Sequence, residues 1–255
     1  MSIKTATYQG VTTLEIARPE KKNALTAAMY QAMADALRAA QADPEVRSVL
    51  ITGQPGIFTA GNDLEDFLQR PPQGLDSPVF QFMQALIECD KPVIAAVTGA
   101  AIGIGTTMLF HCDFVYVSDE ARLAMPFVAL GLVPAFGSSV LVAERMGHVV
   151  SATEKLLHGD LVSGGEAVGL AMAYAVMPSA EVVRHARRVA ERFNALAPSA
   201  VRESKRLMRA ADRERLQAVI AAEGECFAAR LRSEEAREAM QAFLEKRPPD
   251  FTRFR

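Results

Sequence analysis

The 255-residue sequence predicts an α/β fold built on largely parallel sheets. Three apolar segments have strand character, namely RSVLIT (47–52), PVIAAV (92–97) and DFVYVS (113–118), and amphipathic segments separate them. Continuous apolar strands are typical of sheets covered on both faces, and alternation of strands with helices is typical of parallel sheets. Hydrophobic residues make up 50% of the chain, which is enough for a sizeable core. These observations indicate one large domain, or one domain with an appendage.

The N-terminal segment predicts a hairpin followed by a helix. The alternating residues of ATY and VTTLEI lie on either side of Gln9-Gly10, a pair that favours a tight turn. Thr26 is the predicted N-cap of a helix that extends to about Ala40, because apolar residues recur along one face of this segment.

The middle of the chain repeats the pattern of strand and helix. A glycine loop (GIFTAGND, 56–63) precedes a helix around SPVFQFMQALIEC (77–89), and a short helix is predicted after Gly105. Residues 93–110 carry no charge and are long enough to cross a membrane. Three glycines and three threonines interrupt them, however, and their β-branched start favours a buried strand, a turn and a buried helix. A membrane span is therefore not expected.

The C-terminal part of the chain has a different character. Segments after Pro178 are amphipathic with helical spacing and contain no strand pattern. We therefore divide the chain into a core of residues 1–197 and an all-helical region of residues 198–255. Amphipathic helices bury their apolar faces poorly on their own, so this region is expected to pack on the core or on a neighbouring subunit and to mediate oligomerisation.

Charge and cysteine content exclude several classes of function. The formal net charge is -2, and acids and bases are mixed along the chain, so nucleic acid is not an expected partner. The three cysteines lie far apart without a CxxC motif, which predicts neither a disulfide framework nor a zinc site. The segment MSIKTATYQG lacks the layout of a signal peptide, and a cytoplasmic location is therefore expected.

Two glycine-containing loops are candidates for a functional site. In FTAGNDL (58–64), Gly61 allows the backbone to turn N–H groups towards a cavity, although an ordinary strand-to-helix connection with Asp63 as N-cap explains the same residues. In Gly103-Ile104-Gly105, free N–H groups at a helix start favour a developing negative charge, although the glycines also permit close packing of helix and sheet. If both loops follow parallel strands, they supply two convergent N–H donors. That arrangement is an oxyanion hole.

The motifs FTAGNDL, VTGAAIGIGTTMLFHCD, ARLAMPFVALGLVPAFGSS and AFLEKRPPDF, in that order, resemble the enoyl-CoA hydratase/isomerase (crotonase) superfamily. The resemblance runs from about Val11 to Phe251. It implies a crotonase-like spiral of β-β-α units, an acyl-CoA thioester as substrate, and a homotrimer or dimer of trimers. It also implies a lyase or isomerase of fatty acid metabolism, with no metal and no cofactor beyond the coenzyme A of the substrate.

The resemblance also implies roles for individual residues. The backbone N–H groups of Asn62 and Ile104, the latter following Gly103, polarise the thioester carbonyl. Because these donors are backbone groups, Asn62→Ala is expected to change affinity little. The C-terminal pair Phe243 and Lys246 resembles residues that family members extend over the nucleotide of a neighbouring subunit. Five further positions are implied to contact the CoA moiety, along its length or at its adenine end, and they are Lys22, Ala24, Ala60, Asp63 and Leu64.

The chain departs from the family at the acidic positions. In hydratases of the family one catalytic glutamate occupies the position of Thr107, and the second occupies that of Phe127. A third acidic position, used by some isomerases, corresponds to Ala135. Water addition needs a base and an acid, each worth about 10²–10⁴-fold. Two hypotheses follow. Either the protein is an enzyme in which water, the substrate or an unusual side chain transfers the proton, or it is an inactive CoA-ester-binding protein.

His111, Glu65 and Asp66 are among the candidates for transferring protons in place of the missing acids. His111 lies four residues after Thr107 and on the same helix face, but we interpret it as a hydrogen-bonded core histidine. Glu65 and Asp66 lie just beyond the first loop, and we interpret them as surface acids at a helix start.

A dinucleotide site is an alternative from another class of protein. A strand, a glycine turn, a helix, a strand and then Asp119-Glu120 resemble a Rossmann unit. Met108 occupies the third glycine position of GxGxxG, however, and would hold the helix away from the sheet.

Overall fold

The computed structural model describes residues 2–72, 74, 76–147 and 149–254, and in this part of the chain two sheets are flanked by helices. The larger sheet has six strands, which are, in spatial order, β1 (Ile3–Tyr8), β2 (Val11–Ile16), β3 (Ser48–Thr52), β5 (Val93–Val97), β7 (Phe114–Ser118) and β10 (Ala175–Met177). The smaller sheet has four, which are β4 (Gly56–Thr59), β6 (Gly99–Ile102), β8 (Arg122–Ala124) and β9 (Val162–Ser163).

The larger sheet is parallel from β2 onwards and is covered on both faces. Strands β1 and β2 form the predicted antiparallel hairpin, with Gln9 and Gly10 both at positive φ in its turn. Every residue of β3 and β5 is buried, and the alternate residues of these strands belong to two separate apolar clusters, one on each face. The prediction of parallel sheets buried on both sides is confirmed.

Ten α-helices are described, and several begin where the sequence predicted. Thr26 caps the first of them by accepting a hydrogen bond from the N–H of Met29. The helices are α1 (Ala27–Ala42), α2 (Leu64–Gln69), α3 (Pro78–Glu88), α4 (Ile104–Thr107), α5 (Ser138–Met146), α6 (Val149–Leu157), α7 (Gly164–Gly169), α8 (Ser179–Glu191), α9 (Pro198–Leu231) and α10 (Glu234–Glu245).

The smaller sheet differs from expectation. Residues 56–59, predicted as part of a glycine loop, form β4 instead, and β6 lies parallel beside it. Helix α4 begins at Ile104 rather than after Gly105, and Gly103 is its N-cap. The two glycine loops therefore follow two neighbouring parallel strands.

The Rossmann alternative does not fit this topology, because the glycine turn at Gly103 follows β6 of the smaller sheet rather than the predicted strand at residues 92–97. Strands β6 and β7, which flank α4 in the chain, lie in different sheets and do not pair. A dinucleotide-binding unit requires both strands in one parallel sheet.

The C-terminal helices pack on the core. The 34-residue helix α9 begins at Pro198, where the all-helical region was predicted to begin. Lys205 on this helix forms an ion pair with Asp113 at 2.6 Å, and Phe227 contacts the ring of Phe67 edge-on at 5.9 Å between centroids. No helix within the described residues is long and apolar enough to cross a membrane.

Candidate functional site

A cleft of about 630 Å³ lies at the carboxyl ends of β4 and β6. Of the site residues singled out from the sequence, ten line it: Lys22, Ala24, Ala60, Asn62, Asp63, Leu64, Gly103, Ile104, Phe127 and Phe243. The remaining three, Thr107, Ala135 and Lys246, do not. Residues more than 200 positions apart in sequence thus meet at one site.

Asn23 fastens one wall of the cleft to strand β4. Its fully buried side chain accepts a hydrogen bond from the N–H of Arg18 at 2.7 Å and donates one to the carbonyl oxygen of Phe58 at 3.1 Å. The N–H of Ala60 donates to the carbonyl oxygen of Lys22 at 3.0 Å. This wall therefore holds Lys22 beside the first glycine loop.

Asn62 follows β4 in an extended conformation beside Leu25. Leu25 donates to the carbonyl oxygen of Gly61 at 2.8 Å and accepts from the N–H of Asp63 at 2.9 Å. Because successive N–H groups of an extended segment point to opposite sides, the N–H of Asn62 faces away from Leu25.

The N–H groups of Asn62 and Ile104 are both uncommitted. Within the described residues, neither donates a hydrogen bond to a protein acceptor. Both residues line the same cleft, and each follows a glycine at positive φ, Gly61 at 89° and Gly103 at 59°. Two free backbone donors at one cleft are suited to binding an oxygen that gains negative charge.

Glycine is required at positions 103 and 105 for two different physical reasons. A side chain at Gly103 would meet no atom within 4 Å, so this position requires glycine for its conformation. A Cβ at Gly105 would lie 2.5 Å from the Cγ2 of Thr59, so Gly105 permits close packing of α4 on β4. The close-packing interpretation therefore applies to Gly105, whereas Gly103 is required for its backbone conformation.

The side chain of Asn62 has a structural role that the sequence did not indicate. The hydroxyl of Tyr30 donates to the Oδ1 of Asn62 at 2.5 Å, and only 2% of Tyr30 is exposed. Burial raises the pKa of Tyr30 well above its usual value, so this hydroxyl remains a donor at neutral pH. Loss of the Asn62 carboxamide would leave it unpartnered, at a cost of roughly 1–3 kcal/mol.

A small inner cavity of about 30 Å³ extends from the cleft between aromatic side chains. Asn62, Ile104 and Phe127 line both spaces. Ala135 lines the inner cavity, and no titratable side chain among the described residues does so. Acyl groups that enter this cavity would meet carbon atoms almost exclusively.

Thr107 lies behind the site rather than in it. It is fully buried in α4, and its Oγ1 has no hydrogen-bond partner among the described residues. A buried hydroxyl without a partner costs free energy. Nothing in the structure explains why threonine stands here.

His111 is a core residue, as predicted. It is 1% exposed, its Nε2 lies 2.8 Å from the carbonyl oxygen of Phe136, and its ring stacks on that phenyl at 3.9 Å between centroids. Burial lowers its pKa to about 3. A neutral imidazole committed in this way is unsuited to proton transfer at the cleft.

Acidification is expected to destabilise the fold through His111. Its folded pKa of about 3 lies below the ordinary value, so in acid the unfolded state binds a proton that the folded state does not. The stabilisation is present above pH ~6.5 and decreases as pH falls, by about 2 kcal/mol between pH 7 and pH 5. Urea unfolding at both pH values should show a smaller loss for His111→Asn than for wild type. His158→Asn, which changes an exposed histidine, is the control, and equal losses in all three proteins would contradict the prediction.

The acids beyond the first loop are structural. Asp63 caps α2 by accepting from the N–H of Asp66 at 3.1 Å and forms an ion pair with Arg18 at 2.6 Å. Burial alone would raise the pKa of Asp63, but the hydrogen bond from Asp66 and the charge of Arg18 together hold that pKa below its usual value. Asp66 accepts from the N–H of Ala27 at 2.7 Å, and Glu65 is exposed near Lys21. The N-cap interpretation of Asp63 is confirmed.

The C-terminal segment closes the cleft of its own chain. Phe243 lines the cleft, although it is 63% exposed. Lys246 does not line it. This residue follows the last residue of α10 at a positive φ of 56°, and Arg247 lines the cleft instead. Arg247 is held by Glu238 at 2.6 Å and by Glu245 at 2.6 Å. The implied role of Lys246 at the nucleotide of a neighbouring subunit stays a prediction, and Arg247 is the basic residue of this segment that lines the cleft of its own chain.

Sequence analysis also missed Glu223, a buried carboxylate on α9. It accepts from the N–H of Gly137 at 2.6 Å and from the N–H of Ser139 at 2.9 Å, and burial raises its pKa. The turn that it holds, residues 136–137, directly follows Ala135, and the adjacent Gly224 lines the inner cavity. No local signal in the sequence of α9 indicates this contact. The described residues contain no group of three or more His, Cys, Asp or Glu that could hold a metal ion.

The family follows from comparison with known proteins. The model of the enoyl-CoA hydratase/isomerase family matches residues 6–253, and the chain belongs to that family. The predicted membership and the crotonase-like α/β fold are thereby confirmed.

Individual relatives are similar over most of this chain. A solved structure of Pseudomonas aeruginosa OdaA is 55% identical with a TM-score of 0.93, covering 95% of this chain and 98% of that one. The 2,3-dehydroadipyl-CoA hydratase of Escherichia coli K12 is 30% identical over 95% of both chains. The human enoyl-CoA delta isomerase 2 is 34% identical over 93% of this chain, and this chain spans 62% of its length.

Proposed function

We propose that this protein binds acyl-CoA thioesters in the cleft and stabilises the thioester enolate there. The N–H groups of Asn62 and Ile104 are the two donors of an oxyanion hole and hold the thioester oxygen. The observation that carries this proposal is that both donors lack a protein acceptor and open on one cleft. Fixed donors stabilise the negative charge that develops on this oxygen as an α-proton leaves.

The outer cleft holds the CoA moiety as part of the substrate, without a separate cofactor. Lys22, Ala24, Ala60, Asp63 and Leu64 extend along it, as the family resemblance implies. Three cations, Lys21, Lys22 and Arg247, line the same space. Glu20, Asp63 and Glu65 line it as well, so the cations that suit the phosphate groups of CoA stand beside acids.

The inner cavity holds the acyl group. Its lining of phenylalanine, methionine, isoleucine and valine side chains suits a short hydrocarbon chain. A terminal carboxylate would be buried there without a partner, which is strongly unfavourable. We therefore propose short, uncharged acyl groups as the substrate class.

Proton transfer is the step of the proposed chemistry that the lining of the inner cavity supports least. Phe127 and Ala135, which stand at acidic positions of the family, present only carbon to the inner cavity. An α-proton must then pass to water, to the substrate itself or to a more distant side chain. The same observation favours a second candidate, a CoA-ester-binding protein without catalysis.

Three measurements distinguish these functions. Acetoacetyl-CoA should bind, and a bound structure should place its thioester oxygen within about 3.5 Å of both backbone nitrogens. An oxygen farther than this from both would contradict the proposal. Turnover of crotonyl-CoA or of a 3-enoyl-CoA indicates the enzyme, and tight binding without turnover indicates the binding protein.

We also propose that the chain forms a homotrimer or a dimer of trimers. The exposed apolar residues Leu207 and Met208 on α9 support this, since 78% and 81% of their surfaces are free in one chain. Light scattering at micromolar concentration should give a multiple of the 27.6 kDa chain. A monomer would contradict the proposal.

A further inference from the structure

Another cavity, of about 160 Å³, lies at the amino ends of β3 and β5 in the larger sheet. It is bounded by the residues that precede β3, by Lys91 and Pro92 before β5, and by the start of α9. The cleft opens at the carboxyl ends of its strands, whereas this cavity opens at the amino ends. The two spaces share no lining residue.

Three cations line this cavity, and no carboxylate among the described residues does. They are Arg47, Lys91 and Arg202, and the other walls are mostly apolar: Pro44, Val46, Pro92, Phe193, Pro198 and Val201. Like charges in an apolar enclosure repel one another and lose hydration. An anion in the cavity would relieve both effects.

Lys91 is the most buried of the three cations. It is 3% exposed, and its Nζ donates to the carbonyl oxygens of Ala40 at 2.6 Å and Asp43 at 2.5 Å. Burial, with repulsion from Arg202 and Arg47, lowers the pKa of Lys91, and the nearby Asp43 compensates only in part.

The two arginines are unpaired. The Nη1 of Arg47 is buried and has no hydrogen-bond partner, and neither Arg47 nor Arg202 forms an ion pair with any described residue. On the same helix the next basic residues are paired: Lys205 and Arg209 with Asp113, and Arg206 with Asp90. The lack of partners is therefore specific to this cavity rather than general for α9.

We propose that this cavity binds a phosphate-sized oxyanion, either inorganic phosphate or the phosphoryl group of a small molecule. Arg47 and Arg202 donate to its oxygens, and Lys91 contributes charge from beneath. Guanidinium groups suit this role because their planar N–H groups match the geometry of phosphate oxygens. The start of α9, whose N-cap Ala197 provides no side-chain acceptor, adds a favourable field.

Calorimetric titration of the whole protein with inorganic phosphate, against potassium chloride at equal ionic strength, tests the proposal. Saturable binding is expected. Arg202→Ala and Arg47→Ala should each weaken it about tenfold or more, as expected for loss of one charged donor. Arg184→Ala, which removes an exposed arginine of α8, should leave the affinity unchanged.

Titration with glycerol 3-phosphate distinguishes the two sources of the anion. Equal affinity for both compounds indicates a site for free phosphate, and tighter binding of the ester indicates a phosphorylated molecule. The proposal is overturned if phosphate binds no better than chloride, or if binding survives in both arginine variants. A crystal structure grown with phosphate that shows only water, or a carboxylate of a second subunit, in the cavity would overturn it as well.

Discussion

Thr107→Glu combined with Phe127→Glu is expected to raise the hydration of crotonyl-CoA by at least about a hundredfold, because each acid–base role is worth about 10²–10⁴-fold. Phe127 lines both the cleft and the inner cavity, so a carboxylate there would enter the acyl site directly. Thr107 is fully buried and lines neither the cleft nor the inner cavity, so the longer side chain of glutamate is needed for a carboxylate to reach the acyl site. Wild-type hydration is correspondingly expected to be slow.

Stability sets a limit to this gain. Two carboxylates in an apolar site lose hydration and repel each other, so their pKa values rise and the folded state is weakened. Thr107→Gln with Phe127→Gln has nearly the same size and polarity but cannot transfer protons, and it is the matched control. A gain in the glutamine pair equal to that in the glutamate pair would show that polarity alone matters. Efficient hydration by the wild type would show instead that another residue transfers the proton.

The larger sheet could be predicted from the sequence because its strands are long and apolar. β3, β5 and β7 each contain five residues, and flanking helices separate them clearly. The smaller sheet was missed because its strands have two to four residues, too few to show a period of two. The sequence of β4 was assigned to a loop for this reason.

The two glycine loops of the site could be predicted from the sequence, but the contacts that the C-terminal helices make around the site could not. Glycine and polar residues mark the loops locally, and family resemblance supplies their order. The contacts of Phe227 and Glu223 depend instead on how α9 lies across the core, which no local pattern encodes. Arg247 rather than Lys246 reaches the cleft because α10 ends at Glu245 and the chain then turns. The 1–197 and 198–255 division stays a prediction, because α9 contacts the core at Asp113, Phe67 and Gly137.

Gly61→Ala is expected to weaken binding of acetoacetyl-CoA by tenfold or more, because it disturbs both proposed donors at once. The φ of Gly61 is 89°, and a Cβ there would lie 2.8 Å from the carbonyl oxygen of Ile102. This steric clash moves Asn62 away from Ile102, which precedes Gly103. The N–H groups of Asn62 and Ile104 then no longer point towards one oxygen. Removal of one oxyanion donor alone costs roughly 10²–10³-fold in turnover in other enzymes.

Gly56→Ala separates this effect from backbone strain. Gly56 lies at the other end of β4 with a similar φ of 80°, and a Cβ there would meet no atom within 4 Å. Both variants carry the strain of a left-handed alanine, roughly 1–2 kcal/mol, and should show similar losses of thermal stability from this source. Only Gly61→Ala should also lose affinity for the CoA ester, measured by calorimetry at a temperature where both are folded. If Gly56→Ala loses affinity equally, general destabilisation explains the result, and the convergence of the Asn62 and Ile104 N–H groups does not.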